Sequence, residues 1–299
     1  MGNILTRGTL LPPVVTDQLF SKVKGKSSLA RLSASEPIPF NGETVFTFSL
    51  DNEVDLVGEN GAKSNGGATI APVTMQPVKV EYGFRVSDEF KYGTEEVRLQ
   101  YLTAFADGFA KKVARGLDIM AIHGVNPRSK QSAAALSGKN FDDVVTNIVV
   151  FDADKPQDNI TAAIAMIDDE IDVTGLAMAP AMKAALANLK TAKDSNVPLF
   201  PELGWGSTLT ALNGLAADSN TTVSFNSSLD RALVGNFADY FKWGFAKQIP
   251  IEVIEYGDPD NSGYDLKGHN QVYIRGEAYI GWGILDKDAF SLVKAGASA

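Results

Sequence analysis

The chain has 299 residues, 27 Lys and Arg against 36 Asp and Glu for a formal net charge of −9, and no cysteine. Lack of cysteine excludes disulfides, thiolate nucleophiles and cysteine-ligated zinc or iron–sulfur sites, and the acidic balance excludes a fold-wide basic footprint for nucleic acid. Hydrophobic residues at 44% and charged residues at 21% are ordinary globular usage, and only His123 and His269 are left to supply imidazole.

No window approaches the roughly 18 apolar residues of a membrane span, so no membrane partner is expected. Met1-Gly2-Asn3-Ile4-Leu5-Thr6 fits the loose myristoylation pattern, which fixes too few positions to carry a reading. Residues 1–40 set Arg7, Lys22, Lys24, Lys26 and Arg31 against Asp17 and Glu36, with no sustained apolar period. They predict a basic arm, either solvated or docked on a neighbouring subunit or a polyanion.

Two period-two runs follow. Phe46, Phe48 and Leu50 alternate with Thr47, Ser49 and Asp51, and Val78, Val80, Tyr82, Phe84 and Val86 alternate with polar residues or glycine. Both predict strands with one buried face. Gly58, Asn60-Gly61 and Asn65-Gly66-Gly67 between them are turn chemistry, and Pro72 and Pro77 mark the returning side as an edge. The result is a long hairpin with a glycine-rich tip. Ordering each of its residues costs about 1–2 kcal/mol of backbone entropy, and few apolar groups between Asn41 and Val73 offset that. The segment is therefore either floppy or ordered by lying on another chain.

Thr94 is placed to cap a long helix, with Glu95 and Glu96 in its first turn. Val97, Tyr101, Phe105, Phe109, Val113, Leu117 and Met120 form one continuous stripe, and His123-Gly124 with Asn126-Pro127 marks the stop. From Phe151 the texture becomes α/β. Ile160, Ile164, Ile167 and Ile171 predict a second helix, Leu176–Ala179 a strand, and Pro180 the start of a helix burying Met182, Leu186 and Leu189. Residues 194–214 read as loop. Strands are predicted at Ala232–Phe237, Ile249–Glu255, Gln271–Glu277 and Tyr279–Leu285, with a polar loop at Asp258–Gly268.

The sequence contains no Walker A loop, dinucleotide fingerprint, nucleophile elbow or HExxH motif, so neither an enzyme nor a cofactor is expected. Asp258, Asp260, Ser262 and Gly263 imitate the start of a calcium loop, but its twelfth position is His269 in place of a bidentate glutamate. Trp205, Trp243 and Trp282 are candidates for a sugar-binding surface, although core packing is the ordinary role of scattered tryptophans.

Taken in order, several segments carry a resemblance. These are the basic arm, the hairpin, Val86-Ser87-Asp88-Glu89, and the long helix ending in Asp118-Ile-Met-Ala-Ile-His-Gly124. The tail adds Ile249-Pro-Ile-Glu-Val253, Val272-Tyr-Ile-Arg-Gly-Glu277 and Asp288-Ala289-Phe290-Ser-Leu292. The set resembles the tailed-bacteriophage major capsid proteins of the Hong Kong 97 type. The resemblance implies an α+β fold with an N-terminal arm at 1–40 and an extended loop at 41–76. It places a peripheral domain with a spine helix at 77–124 and 273–299, and an axial domain at 125–272. It implies self-assembly into hexamers and pentamers of a virion shell, built in the host bacterial cytoplasm around double-stranded DNA. A portal and a possible decoration protein would join the shell, and the resemblance, with an arm beginning at Met1, implies a separate scaffolding protein or assembly without one.

Lys111, Lys112 and Arg115 would face the lumen. Some relatives crosslink a loop lysine to a neighbour's asparagine; Lys63 stands where that lysine would be, Asn261 and Asn270 are acceptor candidates, and Glu277 is the accompanying acid. An encapsulin-like compartment with the same fold and a soluble carbohydrate-binding protein remain open alternatives at this point.

Overall fold

The structure is a computed structural model that describes residues 26–50, 52–167, 169–192, 195–204, 206 and 208–296. Its long helix, Glu95–His123, has 29 residues and so runs about 44 Å. Its ends obey the local chemistry: the Thr94 side chain accepts from the Val97 amide, and Gly124 closes the helix in the left-handed region at φ 64°. This spine packs on a three-stranded antiparallel sheet ordered β3 (Val78–Ser87), β10 (Gln271–Ile284), β9 (Phe241–Ile254). Phe105, Phe109, Val113 and Leu117 of the spine share one core with Trp243, Phe245, Ile274 and Ile280 of the sheet.

A second sheet of six strands carries the α/β half. Its order is β4 (Ile148–Phe151), β11 (Phe290–Ala295), β8 (Asp230–Gly235), β5 (Gly175–Met178), β7 (Leu215–Ser219), β6 (Ala211–Leu212). Helices at Pro156–Ala165 and Pro180–Ala187 bring Ile160, Met182 and Leu186 onto it, with Leu176, Met178, Val234 and Val293 beneath. Proline opens both helices, where its missing amide costs nothing.

The extended loop is a separate two-stranded hairpin, β1 (Glu43–Leu50) with β2 (Ala68–Met75). Here the structure corrects the expected pairing. The run Val78–Ser87 is not the hairpin's return strand; it belongs to the spine sheet, and Ala68–Met75 is the return. Only Gln76 and Pro77 lie between β2 and β3, and Val78, Val80 and Val86 pack against the spine core.

Two further strands pair across the expected domain limits. The closing strand Phe290–Ala295, expected with the spine as part of 273–299, pairs with β4 and β8 inside the six-stranded sheet. Residues 241–254, expected in the axial segment, pair with β10 beside the spine. Backbone pairing carries both strands across the expected limits: β11 lies between β4 and β8, and β9 forms an edge of the spine sheet beside β10. Gln271–Glu277 and Tyr279–Leu285 are likewise one strand, running through the fully buried Ala278.

The arm is also more settled than its composition predicts. Residues 1–25 lie outside the described residues, but a short helix, α1 (Ser28–Leu32), is folded into its own chain with Leu29 and Ala30 buried. The spine's Asp118, fully buried, holds it there. Its carboxylate accepts from the Ser28 amide at 3.0 Å, the Leu29 amide at 3.2 Å, the Thr222 hydroxyl at 2.7 Å and the Ser27 hydroxyl. Burial raises the Asp118 pKa above the usual carboxylate value, against the lowering by these donors. Arg31 adds an ion pair to Asp218 at 2.6 Å. Beyond α1 the chain runs along β9, where the Glu36 amide donates to the Trp243 carbonyl at 2.8 Å. It passes so close to Gly244 that a Cβ there would sit 1.6 Å from the Glu36 carbonyl oxygen.

Two outcomes follow for unassembled subunits in urea. Asp118→Ala strands buried donors and is expected to cost about 3 kcal/mol of unfolding free energy. Gly244→Ala pushes residues 35–38 off the sheet edge, at a cost of about 1–3 kcal/mol. Wild-type midpoints for both variants would refute this account of the arm.

Candidate assembly surface

The hairpin turns an apolar face outward. Phe46, Phe48 and Leu50 stand opposite Pro72, Ile70 and Ala68 in the β1–β2 ladder, and residues directly opposite in an antiparallel pair share a face. Phe46 is 68% exposed, Phe48 62%, Leu50 70% and Ile70 60%. Period-two alternation predicts a strand with one buried face; the strand is there, and its apolar face has no cover among the described residues. At the tip, Val54 and Leu56 are almost fully exposed. Contiguous apolar surface of this kind marks an interaction site.

A second uncovered apolar surface lies where β3 meets the first turns of the spine. Tyr82 and Phe84 of β3 approach Phe105 at 6.5 Å and 5.3 Å between ring centroids, and Phe90 meets Tyr101 edge-on at 5.9 Å. Phe105 is buried, whereas Tyr82, Phe84, Val97 and Tyr101 stay exposed. The helical stripe therefore finds its core only from Phe105 onward.

Two ionic clusters fix the frame around these surfaces. Arg85 of β3 gathers the 258–264 loop: its guanidinium bonds Asp258 at 2.7 Å, the Tyr264 carbonyl at 2.8 Å, Asp260 and Ser262. Hydrogen bonding from Arg85 holds the Asp260 carboxyl well below its ordinary pKa. The carboxylates that imitate a calcium loop thus serve an arginine.

The other cluster joins the spine's end to the six-stranded sheet. His123 Nδ1 lies 2.8 Å from Asp142 and 3.3 Å from Asp230, while Lys294 lies 2.6 Å from Asp142 and 3.3 Å from Asp230. His123 Nε2 meets the Thr222 carbonyl at 2.9 Å. The two carboxylates, Asp142 and Asp230, and the His123 imidazole are spaced closely enough to hold a metal ion. Both ring nitrogens face acceptors, however, so both carry protons, and a doubly protonated ring has no lone pair for a metal. Burial disfavours the charged ring, but the two carboxylates and the carbonyl outweigh it and raise the pKa to about 9.

The structure separates the other singled-out residues. Lys111 and Lys112 are exposed on the spine. Arg115 is already engaged, donating to Thr221 Oγ1 at 2.9 Å and lying 5.7 Å over the Phe225 ring. Lys63 sits exposed in the hairpin tip, and Asn261 and Asn270 are exposed at left-handed positions of φ 55° and 52°. Glu277 is buried and ion-paired with Lys79 at 2.8 Å and Arg275 at 3.3 Å. Seven strand positions separate it from Asn270, about 23 Å of extended chain, so one subunit does not bring acid and acceptor together. Trp243 and Trp282 are buried at 1% and 5% exposure, which removes them as a sugar platform; Trp205 lies outside the described residues.

Asp118 and Asp142 were not singled out from sequence for these roles. An acid directly after Leu117 of the apolar stripe was the available signal for Asp118, whereas nothing local marks Asp142 as a partner of His123.

The family model of the phage capsid family matches residues 7–295. A solved structure from Mycobacterium phage Ogopogo is 34% identical, with 91% of this chain and 92% of that one covered and a TM-score of 0.77. One from Gordonia phage Cozz is 24% identical over 91% and 87% of the two chains, TM-score 0.69, which speaks to the fold alone. Comparison with curated proteins gives no match. A fold of spine, sheets and projecting hairpin with outward apolar faces, matched across its length in this way, defines a structural shell protein. The chain belongs to the phage capsid family and is a major capsid protein of the Hong Kong 97-type fold, built into the virion capsid.

The His123 cluster sets a pH dependence. Its folded pKa of about 9 exceeds the ordinary 6.5, so its contribution is complete below pH 6.5 and is lost as pH rises through about 9. The full loss is on the order of 3 kcal/mol. Urea unfolding of unassembled subunits between pH 6 and 10 should show that decline, and His123→Gln should flatten it. An equally steep decline in the variant would assign the effect elsewhere.

Proposed function

We propose that this chain forms the hexamers and pentamers of an icosahedral head through overlap of its β1–β2 hairpin with an adjacent subunit. Assembly takes place in the host bacterial cytoplasm with a separate scaffolding protein, a portal and possible decoration protein, and the shell encloses double-stranded phage DNA. The single observation that carries the reading is the outward apolar face of Phe46, Phe48, Leu50 and Ile70. In this reading the peripheral domain comprises the spine with β3, β9 and β10, and the axial domain is the six-stranded sheet with its helices. Lys111 and Lys112 face the packaged DNA, and Arg115 serves the subunit's own fold. The shell is held without covalent crosslinks, since Glu277 is occupied by two cations of its own chain. Mature particles should accordingly run as a monomer band in denaturing electrophoresis.

Burying a phenylalanine side chain is worth about 2 kcal/mol, so removing two weakens each contact about a thousandfold. The unsubstituted chain is expected to sediment as capsomers or shells. The double variant Phe46→Ser, Phe48→Ser should remain a folded monomer with unchanged circular dichroism. A double variant that assembles as well as the parent would overturn the role given to the hairpin. Nuclease-protected DNA in particles from infected cells would separate a phage head from a cargo-storing shell of the same fold.

A further inference from the structure

Strand β3 is an edge. It is hydrogen-bonded to β10 on one side, and the sheet order β3-β10-β9 leaves its other side without a strand among the described residues. Ten residues of backbone, Val78–Ser87, therefore present alternate amides and carbonyls outward. On the spine side of that edge lie the exposed rings of Tyr82, Phe84 and Tyr101. The vacant edge and the uncovered apolar surface adjoin, which is the arrangement that accepts an added strand carrying apolar side chains on every second residue.

The same chain owns such a strand. β1 has eight residues and no proline, so the alternate amides on the edge away from β2 are all free to donate, and Phe46, Phe48 and Leu50 recur along it at period two on an exposed face. Its partner β2 is the poorer template, because Pro72 has no amide. The hairpin's own chain does not make this pairing. Only Gln76 and Pro77 connect β2 to β3, and the two strands belong to different sheets.

Resting on the shell reading above, we propose that β1 of one copy adds to the free edge of β3 in a second copy. The spine sheet is thereby extended across the subunit boundary, and Phe46, Phe48 and Leu50 are laid beside Tyr82, Phe84 and Tyr101 of the neighbour. The pairing is restricted to registers two residues apart, since slipping by a single residue would turn the phenylalanines to the opposite face, where β3 carries Lys79, Glu81 and Arg85.

The absence of cysteine makes the pairing readable by engineered disulfides. Val45→Cys or Thr47→Cys on β1 would be combined with Glu81→Cys or Ser87→Cys on β3, all on the face opposite the aromatic rings, and assembled particles oxidised and run without reductant. At least one combination should link most subunits into multimers that single-cysteine controls do not form. Hydrogen exchange of the unsubstituted chain supplies the second measurement. On assembly, the amides of Val78–Ser87 not bonded to β10 should slow at least tenfold. Particles that form normally with no linkage in any combination, or with no added protection at β3, would overturn edge addition while leaving the shell reading intact. An unsubstituted chain that never assembles would instead remove the reading on which it rests.

Discussion

Phe46, Phe48, Leu50 and Ile70 occupy a hairpin face that the described residues of their own chain leave bare, and the architecture is organised around that deficit. A two-stranded ribbon is marginal in water, and this one projects from the body with its apolar side outward. The free energy that would settle it must come from another copy. Self-association is thus written into one surface as a missing core, and the rest of the subunit has the task of delivering that surface in a constant position.

Rigidity at the delivery point comes from burying charge with its partners already in place. Asp118 and His123 lie five residues apart on the spine, and each reaches a different neighbour. Asp118 grips α1 and Thr222, whereas His123 grips Asp142 and Asp230, which Lys294 also holds. The two sets pin the arm, the α/β sheet and the helix terminus to one another. Loss of a member is costly because it leaves buried polar atoms unmatched, so the clusters specify one geometry more than they add net stability. Arg85 does the equivalent at the far end of β3 by closing the 258–264 loop over itself.

Local chemistry was legible in the sequence wherever one element's residues decide the outcome. The spine's limits follow from Thr94, the acids after it and Gly124, and all are found as read. Strand Val78–Ser87 likewise follows from its alternation. What could not be read was pairing across long separations. Whether Val78–Ser87 faces Thr44–Asp51 or Gln271–Ile284 depends on which partner completes a core with the spine, and residues nearly two hundred positions away decide it. The stretch Phe241–Phe245 carries the same alternating apolar signal, with Phe241, Trp243 and Phe245 buried. Gly244 between them reads as a breaker until Glu36 is seen against it. The arm misled for a related reason: its apolar content is small, but Leu29 and Ala30 enter a core made by others, and Asp118 supplies the polar half of the bond.

The acidic balance also takes on a physical sense. Copies carrying a formal −9 repel one another, and at physiological ionic strength that repulsion fades beyond about 8 Å. Encounters that bury little apolar area are therefore not retained, while one that closes the hairpin face gains several kilocalories per mole at short range. Many of the cations near the surfaces are spent inside the subunit: Arg31 on Asp218, Arg85 on Asp258 and Asp260, Arg275 on Glu252 and Glu277. Such pairs add little to affinity between copies. Association then depends on apolar complementarity and strand edges, which demand a specific register, in preference to charge attraction, which does not. A shell that must place many identical subunits in nearly identical surroundings is better served by the more demanding of the two forces.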